Sequence, residues 1–221
     1  MEGLALHEKF EMEALELLNS ERLLEKLVFG GGTMLRLCHG LNRYSVDLDF
    51  YFIKKIDLDK FNKRFIDCIS RRFQITDAAV KHFTLLYEFR SKNHPRRLKI
   101  EIRKQLKPLK YEEVIAFSAN STQQVLLKAL TLEQMMKNKI EAALNRKEPR
   151  DCFDIEFLLR RGVKIDINDK TKKQLKDRAS GFTKKDIAAA LSPLLEISDR
   201  NYYYKNGFKF LVSQIGWLVP F

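Results

Sequence analysis

Apolar residues along this chain recur with two rhythms, one near 3.6 residues and one of two, and the switches between them mark the elements. Leu4, Phe10, Met12, Leu15, Leu17, Leu18, Leu23 and Leu24 keep helical spacing, which predicts one or two amphipathic helices over residues 4–26 covering a sheet. Leu27–Phe29 reads as a short buried strand, and a helix from about Thr33 to Cys38, stopped by Gly40, follows it with His39 as an end group. The rhythm then becomes strand-like from Val46 to Phe52: Val46, Leu48 and Phe50 point one way, Asp47 and Asp49 the other. Asp57 or Asp59 caps a helix running to Arg72 with Phe61, Phe65, Ile66 and Ile69 on one face. Phe83–Phe89 and Leu98–Ile102 are two further strands joined by the turn at Ser91–Pro95. Ile100 and Ile102 face inward, so Glu101 faces out.

The pattern loosens between Pro108 and Gln124, and the domain boundary is expected there, giving domains of 1–115 and 116–221. Beyond it the signals are helical. Thr131 and Gln134 fit a capping box opening a helix to about Arg146, and a second helix runs from about Arg150 to Arg161, stopped by Gly162. Thr183 and Asp186 cap another through Leu195. The tail mixes Tyr202, Tyr203, Tyr204, Phe208, Phe210 and Trp217 with Lys205 and Lys209; packing into the domain and stacking on bases of single-stranded RNA both account for such aromatics. The class is α+β, a mixed sheet flanked by helices followed by a helical domain.

Composition changes this picture in two ways. An apolar share of 45% over 221 residues is enough for a full core, and no apolar run is long enough to span a bilayer. The N-terminus lacks a signal-peptide pattern, and Cys38, Cys68 and Cys152 lack metal-ligand spacing, so reduced thiols and a cytoplasmic location are expected. The net charge of +12 points to a polyanionic partner, with solubility alone as the plainer account.

Candidate chemistry gathers at two places. The first is Gly30-Gly31-Gly32-Thr33, where backbone can approach a ligand closely and a helix N-terminus offers free N–H groups to phosphate. The paired acids Asp47 and Asp49 follow it; two like charges on one strand face are costly unless a cation lies between them. Carboxylates with nucleotide phosphates are the oxygen donors Mg²⁺ prefers. Ser45 shares their side and is suited to orient metal-bound phosphate. The second place is Lys139, Arg146, Arg150, Asp151 and Asp154, the two aspartates three residues apart on one helix face. A helix-end salt-bridge cluster is its structural account. The glycines match neither the dinucleotide fingerprint nor the P-loop, and no hydrolase or zinc signature is present.

A strand, Gly-Gly-Thr, a short helix and a strand carrying Asp-x-Asp resemble the nucleotidyltransferase superfamily, the DNA polymerase β-like fold. "GGTMLRL…LNRYSVDLDFYF", with Lys139, Arg146 and Arg150-Asp151-x-x-Asp154 as a second match, resembles more closely the AbiEii/AbiGii-type toxins, a group that includes the MenT-type toxins. The resemblance covers about residues 27–160.

That resemblance implies an NTP-dependent nucleotidyltransferase with Mg²⁺ or Mn²⁺ on Asp47 and Asp49, and Arg43 and Ser45 in the active-site signature. Gly31, Gly32 and Thr33 would cradle phosphates, and Lys139 from a C-terminal domain completing the cleft would contact the triphosphate. Asp151 or Asp154 would hold Lys139 or Arg146, or contact the nucleotide. Glu101 reads equally as the third catalytic acid or as a salt-bridged strand residue. Arg96, Arg97, Arg103 and Lys104 surround its strand; they suit an RNA track as well as a guarded sheet edge. RNA, foremost a tRNA 3′ end, is the implied acceptor and a cognate antitoxin the implied partner. The rivals are a protein or small-molecule acceptor, and a non-catalytic RNA- or antitoxin-binding relic.

Overall fold

The computed structural model describes residues 2–216, which divide into two compact units between Thr131 and Leu132. The first is built on a seven-stranded mixed sheet of order β3-β4-β5-β2-β1-β7-β6. Its elements are α1 (Glu2–Ser20), β1 (Leu27–Gly30), α2 (Gly31–His39), β2 (Asp47–Phe52), α3 (Leu58–Ser70), β3 (Gln74–Val80), β4 (Thr84–Arg90), β5 (Leu98–Arg103), β6 (Tyr111–Phe117) and β7 (Gln124–Leu130). A single turn of 3-10 helix, Leu24–Lys26, leads into β1.

Strand alternation makes the core. Leu48, Phe50 and Phe52 of β2, Leu85, Tyr87 and Phe89 of β4, and Leu98, Ile100 and Ile102 of β5 are all buried, while the residues between them are partly exposed. Helices α1 and α3 supply the facing apolar surface. Phe10 packs edge-on against Phe73 and Phe89, Phe61 edge-on against Phe52, and Phe65 stacks on Tyr87 at 4.1 Å between ring centres. The Tyr87 hydroxyl, buried beneath α3, donates to Asn62 Oδ1 at 2.7 Å. The Asp57 side chain caps α3 by accepting from the Lys60 N–H, as its sequence context predicts.

Three strands depart from the expected pattern. Residues 74–80 form the edge strand β3, whose largely exposed Gln-Ile-Thr-Asp-Ala-Ala-Val carries no clean alternation. Residues 111–130, in and beside the region expected to hold the boundary, form the hairpin β6–β7. Its Tyr111, Ile115, Phe117 and Leu126 are exposed, which erases the inside–outside signal. The division falls at Thr131/Leu132 and not near residue 115 because β7 pairs in parallel with β1, tying the hairpin into the sheet.

The second unit is helical: α4 (Leu132–Asn145), α5 (Pro149–Arg160), α6 (Asp169–Ser180), α7 (Lys184–Ala190), α8 (Ile197–Asn206) and α9 (Lys209–Gly216). Helix α7 opens on the Thr183–Asp186 capping box but ends at Ala190, and a 3-10 turn at Ser192–Leu194 accommodates Pro193. Helix α6, capped by Asn168, leaves little apolar periodicity in the sequence, since Leu175 and Ala179 are its sole buried residues. Tyr203 and Phe208 are core residues, with the Tyr203 hydroxyl on Glu156 at 2.8 Å, whereas Tyr202 and Tyr204 are exposed. Trp217 lies outside the described residues.

Candidate active site

The glycine turn and the acid strand are assembled by the antiparallel pairing of β1 with β2, which sets Gly30 opposite Asp49. Helix α2 starts at Gly31, two residues earlier than its apolar spacing predicts, so Gly31 and Gly32 lie in its first turn. Gly31 has φ of +78°, and a Cβ there would come within 3.0 Å of the Asp49 Cβ and Cγ. Asp49 therefore stands against the glycine turn. A Cβ on Gly32 would lie 2.5 Å from Arg43 Nη2 and 2.8 Å from Ser45 Oγ. Both side chains of the 43–46 segment are thus gathered beside the same N-terminal turn. Arg43 is buried and donates to the Tyr44 carbonyl at 2.9 Å.

Thr33 takes a different part from the one its position suggests. It is fully buried, and its hydroxyl donates to the Asp47 carbonyl at 2.6 Å, so it fixes the start of the acid strand from below. His7 of α1 contributes one residue earlier, its Nε2 lying 3.0 Å from the Val46 carbonyl. Sequence alone gave no hint of His7, because the contact spans 39 positions.

Under this strand lies a buried polar cluster. Glu8 accepts from the Arg36 guanidinium, the Ser118 hydroxyl and the Asn120 amide. Arg36 also covers the Tyr44 ring at 3.8 Å. Glu11 is fully buried beside it, its oxygens without a hydrogen-bond partner among the described residues and 3.6 Å from His7 Nε2 at the nearest. Burial first, then the Glu8 charge, push the Glu11 carboxyl well above the ordinary range, against a smaller opposing pull from Arg36. Burial likewise lowers the pKa of His7, so Glu11 and His7 both favour their neutral forms.

The outer face carries the charged groups. Strand β5 runs parallel to β2 with Asp47 opposite Lys99, Asp49 opposite Glu101 and Tyr51 opposite Arg103. Asp47, Asp49 and Glu101 therefore share the face turned away from the core, as the alternation predicts. Lys99 lies on the same face, among the acids. Its Nζ lies 3.1 Å from Asp47 Oδ2 and 3.2 Å from Glu101 Oε1. Partial burial alone would lower the Lys99 pKa, and the two carboxylates more than offset this and raise it. Spacing carried one usable signal, since 99 and 101 must share a face.

The expected basic group divides. Arg96, Arg97 and Arg103 are exposed and Lys104 is half-buried. Arg97 pairs with Glu88 at 2.8 Å, and Arg103 lies 5.7 Å from the Tyr51 ring centre.

A divalent ion fits the chemistry of this donor set. Asp47 and Asp49 offer hard carboxylate oxygens beside a turn where no Cβ is tolerated and N–H groups are left without helical partners. Among the described residues no three His, Cys, Asp or Glu side chains are grouped to hold an ion by themselves. Cys38, Cys68 and Cys152 are free thiols; burial raises Cys68 to about 11 and Cys152 to about 12.

In the helical unit Lys139, Arg146, Asp151 and Asp154 come together. Asp151 and Asp154 are fully buried in the first turns of α5. Lys139 Nζ lies 2.6 Å from Asp154 and 3.4 Å from Asp151, and Arg146 grips Asp151 with two hydrogen bonds of 2.8 and 2.9 Å. Arg150 pairs outside this group with Glu148 at 3.5 Å.

Comparison with known proteins gives this geometry a context. The profile of the family described as "Nucleotidyl transferase AbiEii toxin, Type IV TA system" matches residues 14–204. MenT4, a nucleotidyltransferase toxin from Mycobacterium tuberculosis H37Rv, is similar with a TM-score of 0.67 at 14% identity, over 99% of this chain and 85% of that one. JHP933 from Helicobacter pylori is similar with a TM-score of 0.57 at 20% identity, over 96% of this chain and 93% of that one. At such identities the likeness is one of fold. No curated protein matches the chain. Among the described residues no helix is long and apolar enough to cross a membrane.

Proposed function

Since this chain belongs to the AbiEii family of nucleotidyltransferase toxins of type IV toxin–antitoxin systems, we propose that it transfers a nucleotidyl group from an NTP to RNA, with a tRNA 3′ end as acceptor. The observation that carries this reading is the placement of Asp49 against the Gly31 turn, with Asp47 and Glu101 on the same sheet face. In this reading Asp47 and Asp49 would hold Mg²⁺ or Mn²⁺, which would neutralise phosphate charge and polarise the α-phosphate. The first N–H groups of α2, at Gly31 and Gly32, receive phosphate oxygens, and Arg43 and Ser45 steady them. Thr33 and His7 act through the backbone of β2, holding the acids in place.

The transfer balances simply. The acceptor hydroxyl attacks the α-phosphorus, the bond to the bridging oxygen breaks, and pyrophosphate leaves. Glu101 takes the proton of the attacking hydroxyl. A net charge of +12 and the exposed Arg96, Arg97 and Arg103, with Lys104 beside them, support RNA as acceptor. A cognate antitoxin is the partner that the family implies.

Incubating the full chain with each α-labelled NTP, Mg²⁺ and total cellular RNA or protein tests this. Label is expected in RNA of tRNA size, and Asp49→Asn is expected to lose it while keeping the wild-type circular dichroism. Label in protein would replace the acceptor, and label retained by Asp49→Asn would remove Asp49 from the site.

A further inference from the structure

We propose that Lys99 is the built-in counter-ion of the acid site, bridging Asp47 and Glu101 until a divalent ion displaces its ammonium towards nucleotide phosphate. The proposal rests on the metal-site reading given above and adds to it a reason why metal and nucleotide bind together.

The geometry is that of a placeholder. Asp47 faces Lys99 directly across the β2–β5 pairing, and Glu101 is the next residue of β5 on that face. The ammonium contacts a carboxylate oxygen of each, at 3.1 and 3.2 Å. It supplies the cation that two acids on one strand face require and lies where it repels an incoming divalent ion. The carboxylates cannot serve a metal fully while they serve Lys99.

The side chain is also free to leave. It is 34% exposed, and a four-carbon stem lets the ammonium swing without moving the strand. Once displaced, it remains beside the acids as a point charge with three donors and no acceptor, suited to phosphate oxygens. Nucleotide then stabilises the displaced form, so each ligand raises the affinity for the other by the same factor. Metal alone binds weakly, and metal with NTP binds well.

Mn²⁺ titration followed by electron paramagnetic resonance tests this without relying on turnover. The full-length wild type, Lys99→Met and Lys99→Gln are compared with and without a non-hydrolysable NTP analogue, with circular dichroism as the folding check. Without nucleotide, both variants are expected to bind Mn²⁺ about tenfold or more tightly than wild type, the effect of removing one nearby charge. The enhancement that the analogue gives the wild type is expected to shrink in both. Unchanged or weaker Mn²⁺ binding in the two variants overturns the role of Lys99 while leaving the metal site standing. If wild type and variants all fail to bind Mn²⁺ even with the analogue, the metal reading falls and this inference falls with it.

Discussion

Lys99 stands directly opposite Asp47 in the parallel pairing of β2 with β5, its ammonium 3.1 Å from the carboxylate. This places a cation within the acid face of the sheet, where it offsets part of the charge of the three carboxylates. The same register puts Glu101 opposite Asp49. Charge and position are thus set together by one strand pairing.

In the proposed transfer Glu101 receives the acceptor proton. Glu101→Gln is expected to lower the transfer rate about 100-fold or more, within the usual range for a general base. The melting temperature should stay close to wild type, since Lys99 keeps its contact with Asp47. Single-turnover labelling with a melting curve checks both. A loss below about tenfold would assign Glu101 to the strand's ion pairing alone.

Gly31 combines a positive φ with the crowding of Asp49. Gly31→Ala should cost about 1–2 kcal/mol from the left-handed backbone alone. It should also displace the Asp49 carboxylate, and a shift near 1 Å in such a site can cost about 100-fold in rate. Urea unfolding and transfer kinetics on one preparation separate the two effects.

Glu11 predicts a pH dependence of stability. Its carboxyl holds a proton more tightly in the folded chain than in the unfolded one, because burial and Glu8 outweigh Arg36, with Asp47 adding to the rise and His7 the nearest titratable ring. The group therefore favours the fold fully at acid pH, and that contribution falls as pH rises above the ordinary carboxylate range. Glu11→Gln removes the loss. Its advantage in melting temperature over wild type should be larger at pH 8 than at pH 5, a gain of about 1 kcal/mol appearing as about 2–4 °C in a chain of this size. An equal difference at both pH values would show that Glu11 titrates normally.

Asp151 holds two cations from a fully buried position. Asp151→Ala removes one side of that group and should destabilise the helical unit by about 3 kcal/mol, as breaking a buried pair does. The expected record is a lowered urea midpoint for the transition of that unit, seen in the full chain.

Much of this arrangement is legible in the sequence because it rests on local periodicity. Two-residue alternation fixes the common face of Asp47 and Asp49 and the outward turn of Glu101, and i,i+3 spacing joins Asp151 with Asp154. The Asp57 cap and the Thr183–Asp186 box are likewise local. What was hidden depends on pairing over distance or on exposed strands. Lys99 meets Asp47 through the β2–β5 register, and His7 reaches the acid strand because α1 lies under Val46. Edge strands β3 and β6 bury little, so their alternation is faint, and the expected boundary near residue 115 fell inside the sheet.

The crossover between β2 and β5 also bears on synthesis. Asp49 and Glu101 meet only after α3, β3 and β4 have been made, since the parallel partner comes last. On the ribosome, a nascent chain that ends before β5 lacks Glu101 and the parallel partner of β2, so the shared face of the three acids forms only once Arg103 has been added.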